Sequence, residues 1–372
     1  MSVPSTIALY VSLIVWAVVI MQLTQAVALR LSGNSATSTK SSRLIYALGF
    51  AAACLPFIVI LSVRYQVGTD TPIYINRFEE FSSIQTVTEF FEKTKAMEPG
   101  FVLLNKLTYG LGGDARMLFA VSALIMFIAF GKGLWDFSHL LPVGLAALFI
   151  FSEFVPHSFN IMRQMIAVSL VWASLKPLLD KKFKIFLLYI ALAMLFHYTA
   201  AFIIPFYFAC GEKRGNHVVA CLIWSACIFF YLSYVFLFDY IPASIIKLSD
   251  YFIKEGSLKL STLIIRIPLF IPYLFYKRIV QLNPNYRVFF LFLWIELVFA
   301  SLSNYSPNLN RISLYFRLSW IILVPLTVRS MPNRKWNTAL ALLYVVYSAI
   351  LFNREFINFN YGQWIPYAWN IG

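Results

Sequence analysis

Apolar segments of about 17–25 residues, the length an α-helix needs to cross a bilayer core about 30 Å thick, recur along this chain from end to end. They can be bracketed at 6–29, 44–63, 115–131, 138–155, 160–178, 185–197, 199–210, 217–238, 261–279, 287–303, 312–328 and 337–352. A closed barrel would instead show alternating strands of roughly ten residues, and none are visible. Composition agrees: 60% of residues are hydrophobic and 12% charged, about half the charged fraction of a soluble domain. The expected fold is all-α, one polytopic transmembrane domain over residues 1–372 with about 12 spans, the range being 10–13. The first segment lacks a basic start and a small-residue cleavage site, so it reads as a retained helix and not a signal peptide.

Two stretches admit alternatives. Residues 100–112 read either as a half-span or as an interfacial helix. Residues 185–210 could form one helix, which would be about 39 Å long; a break at His197 gives two short spans and a consistent charge pattern.

That charge pattern sets orientation. Loops 30–43, 132–136, 176–184, 211–217, 277–287 and 329–335 together hold 16 Lys/Arg against 3 Asp/Glu. The opposite loops hold 14 Lys/Arg against 12 Asp/Glu, with Glu296 inside a span. Basic short loops mark the cytoplasmic side, so both termini and the two long polar stretches, 64–114 and 239–260, are expected outside. The net charge of +14 is thus a topology signal. It is spread over six loops, not gathered into the patch that nucleic-acid binding requires, so no nucleic-acid partner is expected.

Loops longer than about 12–15 residues are usually functional or disordered, which places the chemistry outside. The first begins RYQVGTDTPIYINRF and carries apolar residues at helical spacing, including Ile73, Ile75, Phe78 and Phe81. Short amphipathic helices packed on the membrane surface are expected there. Cys54, Cys210, Cys221 and Cys227 lie in or beside spans without a C-x-x-C pair, which suits small buried side chains better than a disulfide framework or zinc site.

The arginines carry more information. Arg64, Arg116, Arg163, Arg266, Arg311 and Arg317 all sit at the outer ends of spans, with Arg163, Arg266 and Arg317 several residues inside apolar sequence. Charges at such depth face a protein interior or a watery cavity. A guanidinium offers a planar fork that pairs with phosphate oxygens. Snorkelling to lipid headgroups is the competing explanation for any one of them. Asn160 and Arg163 share a helix face, with Gln164 beside them. Glu296 reads first as a structural partner of Arg266 or Arg317, and second as part of a proton path. His197 reads as a packing residue or as a base; His157 has no better claim. No H-E-x-x-H, D-x-D, P-loop or G-x-S-x-G pattern is present, so metal hydrolysis, nucleotide-sugar chemistry and Ser-triad chemistry lack support. No metal and no cofactor is expected.

RYQVGTDTPIYINRF, EPGFVLLNKL at 98–107, NIMRQMIAVS at 160–169, LFHYTA at 195–200 and IPYAW at 365–369 together resemble the EpsG/Wzy-like family of bacterial polysaccharide polymerases. The resemblance implies a GT-C-like membrane glycosyltransferase in the bacterial cytoplasmic (inner) membrane, its active site facing the periplasm or exterior. It implies transfer of a growing glycan from undecaprenyl pyrophosphate to the non-reducing end of another lipid-linked repeat unit. Its partners would be that lipid-linked oligosaccharide as donor and acceptor, membrane lipids, and a chain-length regulator and flippase. On this reading Arg163, Arg311 and Arg317 hold the pyrophosphate, with Arg64 and Arg266 as further contacts. Asp70 orients or deprotonates the acceptor, His197 being the competing base. Tyr65, Tyr74, Glu98, Asn160, Gln164 and Tyr305 are the candidate sugar contacts. Asp70 could equally bond its own loop backbone. A lipid-linked oligosaccharide flippase and an O-antigen ligase are the rival readings. A flippase would need a cavity open to each face in turn and would show inverted repeats.

Overall fold

The structure is a computed structural model and describes residues 1–31, 40–95, 97–210, 260–304 and 307–369. All regular structure among the described residues is helical; one isolated bridge, between Arg64 and Trp369, is the sole β-type pairing there. The expected span 217–238, the loop 239–259, Cys221, Cys227 and Tyr305 lie outside the described residues.

Five helices among the described residues are long and apolar enough to cross a membrane: Val3–Leu31, Lys40–Ser62, Ala115–Phe137, Leu309–Arg329 and Arg334–Asn358. The first three are helices α1 (Val3–Leu31), α2 (Lys40–Ser62) and α6 (Ala115–Phe137). The last two belong to α14 (Pro307–Arg329) and α15 (Arg334–Phe352), the latter prolonged by a π-turn to Asn358. Twelve spans were expected; one of them, 217–238, lies outside the described residues, and several other apolar segments are interrupted. Segment 138–155 becomes a short α7 (Val143–Phe149) followed by π and 3-10 turns, Ile150–Phe154 and Val155–Phe159. Segment 261–279 breaks into α11 (Leu260–Ile264), a 3-10 stretch Ile267–Phe275 containing Pro268 and Pro272, and α12 (Tyr276–Leu282). A proline has no N–H to give its helix and crowds the preceding turn, so apolar composition alone overstates the length of regular helix here.

The chain does break at His197. Helix α9 (Phe183–Met194) ends three residues earlier, His197 itself is extended (φ −160°, ψ 115°), and the chain resumes as a 3-10 turn over Tyr198–Ile203 before the short α10 (Phe206–Ala209). Helices α8 (Met162–Leu179) and α14 form the centre, with nearly every α8 residue buried. Helix α6 packs along α8, α9 covers another side of α8, and α13 (Arg287–Ser301) packs along α14. The Trp172 indole N–H donates to the Phe130 carbonyl at 3.0 Å and ties α8 to α6.

The outer helices are sided as a lipid environment demands. On α1, Tyr10, Ile14, Ala17 and Met21 face the core, while Val11, Val15, Val19 and Leu23 are exposed. Both faces are apolar, so helix packing there rests on van der Waals contact and scattered polar links. Cys54 and Cys210 are buried and unpaired with each other. Between α2 and α6 the chain forms three short helices, α3 (Thr71–Ser82), α4 (Val87–Lys93) and α5 (Pro99–Gly110). They share a second small core of Tyr74, Phe78, Phe81, Phe101, Val102 and Phe119.

Candidate active site

The stretch RYQVGTDT is shaped by backbone it cannot pair with itself. Tyr65 N–H donates to the Ala368 carbonyl (2.9 Å), Gly68 N–H to Gln363 (3.2 Å) and Thr69 N–H to Gly362 (3.2 Å). The tail that makes these bonds is itself anchored. The Tyr367 hydroxyl donates to the Ile60 carbonyl at 2.7 Å, and that of Tyr10 donates to the Trp364 carbonyl at 3.0 Å. Gly68 adopts φ +89°, and a Cβ there would lie 2.1 Å from the Phe159 carbonyl oxygen. Only glycine fits such a turn so close to another backbone. On the other side, the Asn160 amide oxygen accepts from the Thr69 hydroxyl (2.7 Å) and the Asp70 N–H (2.8 Å). Asn160 therefore fixes the Gly-Thr-Asp turn through its amide oxygen.

Asp70 stands at the N-cap of α3, but its carboxylate makes no capping bond to that helix. The alternative in which it serves its own loop backbone is not what the structure shows. The carboxyl is part-buried, and burial pushes its pKa up, against the opposing charges of Arg311 and Arg163 and a bond from Thr69.

Glu98 is the second anchor. It precedes Pro99 at the start of α5, and one of its oxygens is paired with Arg163 Nη1. The other lies 2.7 Å from His197 Nδ1. Burial opposes the charge on Glu98, but the His197 bond and the Arg163 charge outweigh it, and its pKa is held below the usual carboxylate range. This contact requires α5 to meet the end of α9. Gly100 N–H donates to the Leu195 carbonyl at 2.8 Å, and a Cβ on Gly100 would come within 2.7 Å of that oxygen. Tyr74, buried at 2% exposure, packs edge-on against Phe101. Its hydroxyl pKa is raised by burial and lowered in part by Arg163. Gln164 donates to the Arg311 carbonyl at 2.7 Å, and Thr199 bonds the Tyr315 hydroxyl at 3.1 Å. Arg163 Nε is buried without a hydrogen-bond partner, as is Gln164 Oε1.

The arginines do not converge on one point. The charges of Arg163 and Arg311 both act on Asp70 and Tyr74, opposing the upward pull of burial on their pKa values. Arg266 and Arg317 belong to a second cluster, deep among α11, α13, α14 and the end of α15. Arg266 Nε reaches both Glu296 oxygens at 3.0 and 3.1 Å; Arg317 Nε approaches the same carboxylate at 3.3 Å. Arg317 also pairs with Glu355 (3.2 Å) and donates to Asn310 (2.8 Å). Glu296 thus has two guanidinium partners. Arg64 is buried at 4% exposure, with its guanidinium 4.1 Å from the centre of the Phe119 ring and its Nη1 3.5 Å from the Ser158 carbonyl. Burial lowers its pKa to about 10, so it stays charged at neutral pH. Tyr65 is exposed beside Gln66.

Several participants escaped the sequence reading. Glu355 and Asn310 join the buried cluster. Glu153, a weaker candidate base than Asp70 or His197 on the sequence reading, adjoins it with both oxygens buried and without a hydrogen-bond partner. Thr199 and the buried Tyr315 are hydrogen-bonded to each other near Gln164. Their partners lie tens to hundreds of residues away in sequence, and only Glu355, an acid just past an apolar run, carried a local signal.

Contacts here join the stretches around 64–78, 98–107, 160–169, 195–200 and 365–369 to one another, as in Asn160 with Asp70, Arg163 and His197 with Glu98, and Tyr65 with Ala368. A sequence model of the EpsG family matches residues 48–369, which covers all five. No curated protein and no solved structure matches the chain. The match extends over most of the chain and over every element that builds this mouth, and the chain is a member of the EpsG family.

Proposed function

We propose that this protein is a membrane polysaccharide polymerase, acting on undecaprenyl-pyrophosphate-linked repeat units at the outer face of the bacterial cytoplasmic membrane. Family membership supports a role in polysaccharide biosynthesis. The observation that carries the finer reading is the meeting of Asp70, Glu98, Arg163, His197 and Arg311 where the family-like stretches converge. The basic loops support the orientation. About twelve spans in a single GT-C-like transmembrane domain remain part of the proposal.

In the reaction, a hydroxyl oxygen of the acceptor sugar attacks the donor's anomeric carbon. The bond from that carbon to the pyrophosphate oxygen breaks, and the lipid pyrophosphate leaves with the electron pair. Arg163 and Arg311 neutralise the charge that develops on it, a preorganised electrostatic role. The unpartnered Arg163 Nε is a ready donor for such an oxygen. The hydroxyl proton passes to a base within hydrogen-bond reach. Asp70 has the open carboxylate and a raised pKa, which makes it the stronger base of the two acids. His197 is the competitor: Nδ1 is held by Glu98, leaving Nε2 for a substrate. Arg266 and Arg317, paired with carboxylates, hold the helices behind the site, and Arg64 braces the loop. Chain-length regulator and flippase proteins would act alongside.

The test uses purified protein in liposomes with undecaprenyl-pyrophosphate-linked repeat units. A ladder of lengthening glycans is the expected product. Movement of the substrate across the bilayer without any ladder would replace this reading with a flippase.

A further inference from the structure

Glu153 stands in the π-turn Ile150–Phe154, a wide turn of a kind frequent at functional sites. It is fully buried, and neither carboxyl oxygen has a hydrogen-bond partner. The turn is pinned to α15, where the Ser152 and Ser348 hydroxyls lie 2.7 Å apart. A second π-turn, Asn353–Asn358, carries Glu355 at the end of α15. The charges that act on Glu153 are Glu355, Arg317 of α14, Arg266 just beyond α11 and Glu296 of α13. The Tyr347 hydroxyl of α15 is in electrostatic reach as well.

The charges in this cluster do not balance. Arg266 and Arg317 are both satisfied by Glu296 and Glu355, a match of two guanidiniums with two carboxylates. His157, in the turn that follows Glu153, adds no positive charge. Burial lowers its imidazole to about 4 against the pull of Glu355, and its Nε2 is buried without a partner. An ionised Glu153 would therefore be a third negative charge with neither a cation nor a donor beside it. A buried group in that position shifts to its neutral form. No three His, Cys, Asp or Glu side chains among the described residues are grouped to hold a metal ion, whereas a proton needs a single oxygen. Glu355 keeps 20% of its side chain exposed, which gives the cluster an opening for proton exchange.

We infer that Glu153 is a proton-binding site: it holds a proton as a neutral carboxylic acid, and loss of that proton unbalances the cluster that fixes Arg317. The consequence reaches the candidate active site. Arg317 Nη2 donates to Asn310 at 2.8 Å, Arg311 follows Asn310, and Gln164 donates to the Arg311 carbonyl. A charged Glu153 repels Glu355 and draws Arg317 away from Asn310. That disturbs Arg311, whose charge acts on Asp70. Glu153 is thus a positioning residue that acts through Arg317.

The first measurement is infrared spectroscopy of the full chain in lipid nanodiscs at neutral pH, without substrate. The probe is the proton itself, exchanged for deuterium. Wild type should show the deuterium-sensitive C=O stretch of a protonated carboxyl. Glu153→Gln should lose that band, and Asp70→Asn should keep it. A Glu153→Gln spectrum that loses no such band would mean an ionised, hydrated carboxylate and overturn the inference. Melting gives a second readout. Glutamine mimics the neutral acid, so Glu153→Gln should melt at or above the wild-type temperature. Its advantage should grow as pH rises, because only wild type must keep an acid neutral that ionises freely when unfolded. A marked drop in melting temperature would make Glu153 an ionised partner of the arginines and also overturn the inference. The third readout rests on the polymerase reading. Ladder yield should fall at alkaline pH in wild type, and that fall should be absent from Glu153→Gln. Its persistence would overturn the link to Arg311, whereas the lack of any ladder would remove the polymerase reading and leave the infrared result standing.

Discussion

His197 Nδ1 lies 2.7 Å from one oxygen of Glu98, while the other oxygen of that carboxylate holds Arg163. One acid therefore orients the candidate base and restrains the candidate phosphate-binding cation together. Glu98→Gln preserves the shape and removes the charge. The expected result is a loss in kcat of about 10²-fold, with a smaller change in KM, measured by ladder formation against substrate concentration. A variant with full kcat would reduce Glu98 to a packing residue.

Asp70 gives a pH dependence with a definite sign. Its carboxyl is raised by burial against the charges of Arg311 and Arg163. A base works only when deprotonated, so activity should rise with pH through the folded-state pKa and fall below it. The acid limb should lie above the ordinary aspartate range of about 3.9. Asp70→Asn should remove that limb along with most activity, about 10²–10⁴-fold. Persistence of the limb in Asp70→Asn would transfer the proton-accepting role to His197.

The buried pairing of Glu296 with Arg266 and Arg317 predicts a stability effect of its own. Glu296→Gln removes the carboxylate that Arg266 pairs with, while Arg317 keeps Glu355, and an uncompensated buried charge costs about 3–5 kcal/mol. Thermal unfolding in detergent should show a marked drop. Adding Arg266→Met to Glu296→Gln should recover much of it, because the Arg317–Glu355 pair then balances. A melting profile like wild type for Glu296→Gln would argue against a structural role and reopen a proton path.

Gly68 tests the loop. Gly68→Ala sets a Cβ against the Phe159 carbonyl at a left-handed φ, and strain of this kind costs about 1–3 kcal/mol. Asp70 is two residues away, so the turnover rate should fall further than the melting temperature suggests. Removing residues 362–369 should have a related effect, since Tyr65, Gly68 and Thr69 lose the carbonyls their N–H groups bond. Both variants are read by melting and by ladder yield. Wild-type yield from a folded Gly68→Ala would show that the loop shape is not needed for chemistry.

The membrane character and the break at His197 were legible in the sequence, because apolar length and polar punctuation are local properties. The number of regular spans was not. Pro268 and Pro272 interrupt a segment that composition reads as continuous, and segment 138–155 passes from α7 into π and 3-10 turns while Val143–Val155 stays buried throughout. Arg163 stood out as a charge inside an apolar segment, whereas Asp70 entered only through the resemblance of its GTDT turn. The pairing of Glu296 with Arg266 and Arg317 was legible, since all three are charges inside apolar sequence, but its extension to Glu355, 38 residues past Arg317, was not. The role of Asn160 was likewise hidden, because its partners lie about ninety residues earlier.

The most direct measurement is the release of undecaprenyl pyrophosphate alongside glycan growth, for wild type and for a folded Arg163→Ala. The expected result is one carrier released per glycosidic bond in wild type, and a fall of about 10²–10³-fold in both products for the variant. Undiminished release and growth from Arg163→Ala would contradict the assignment of chemistry to this mouth.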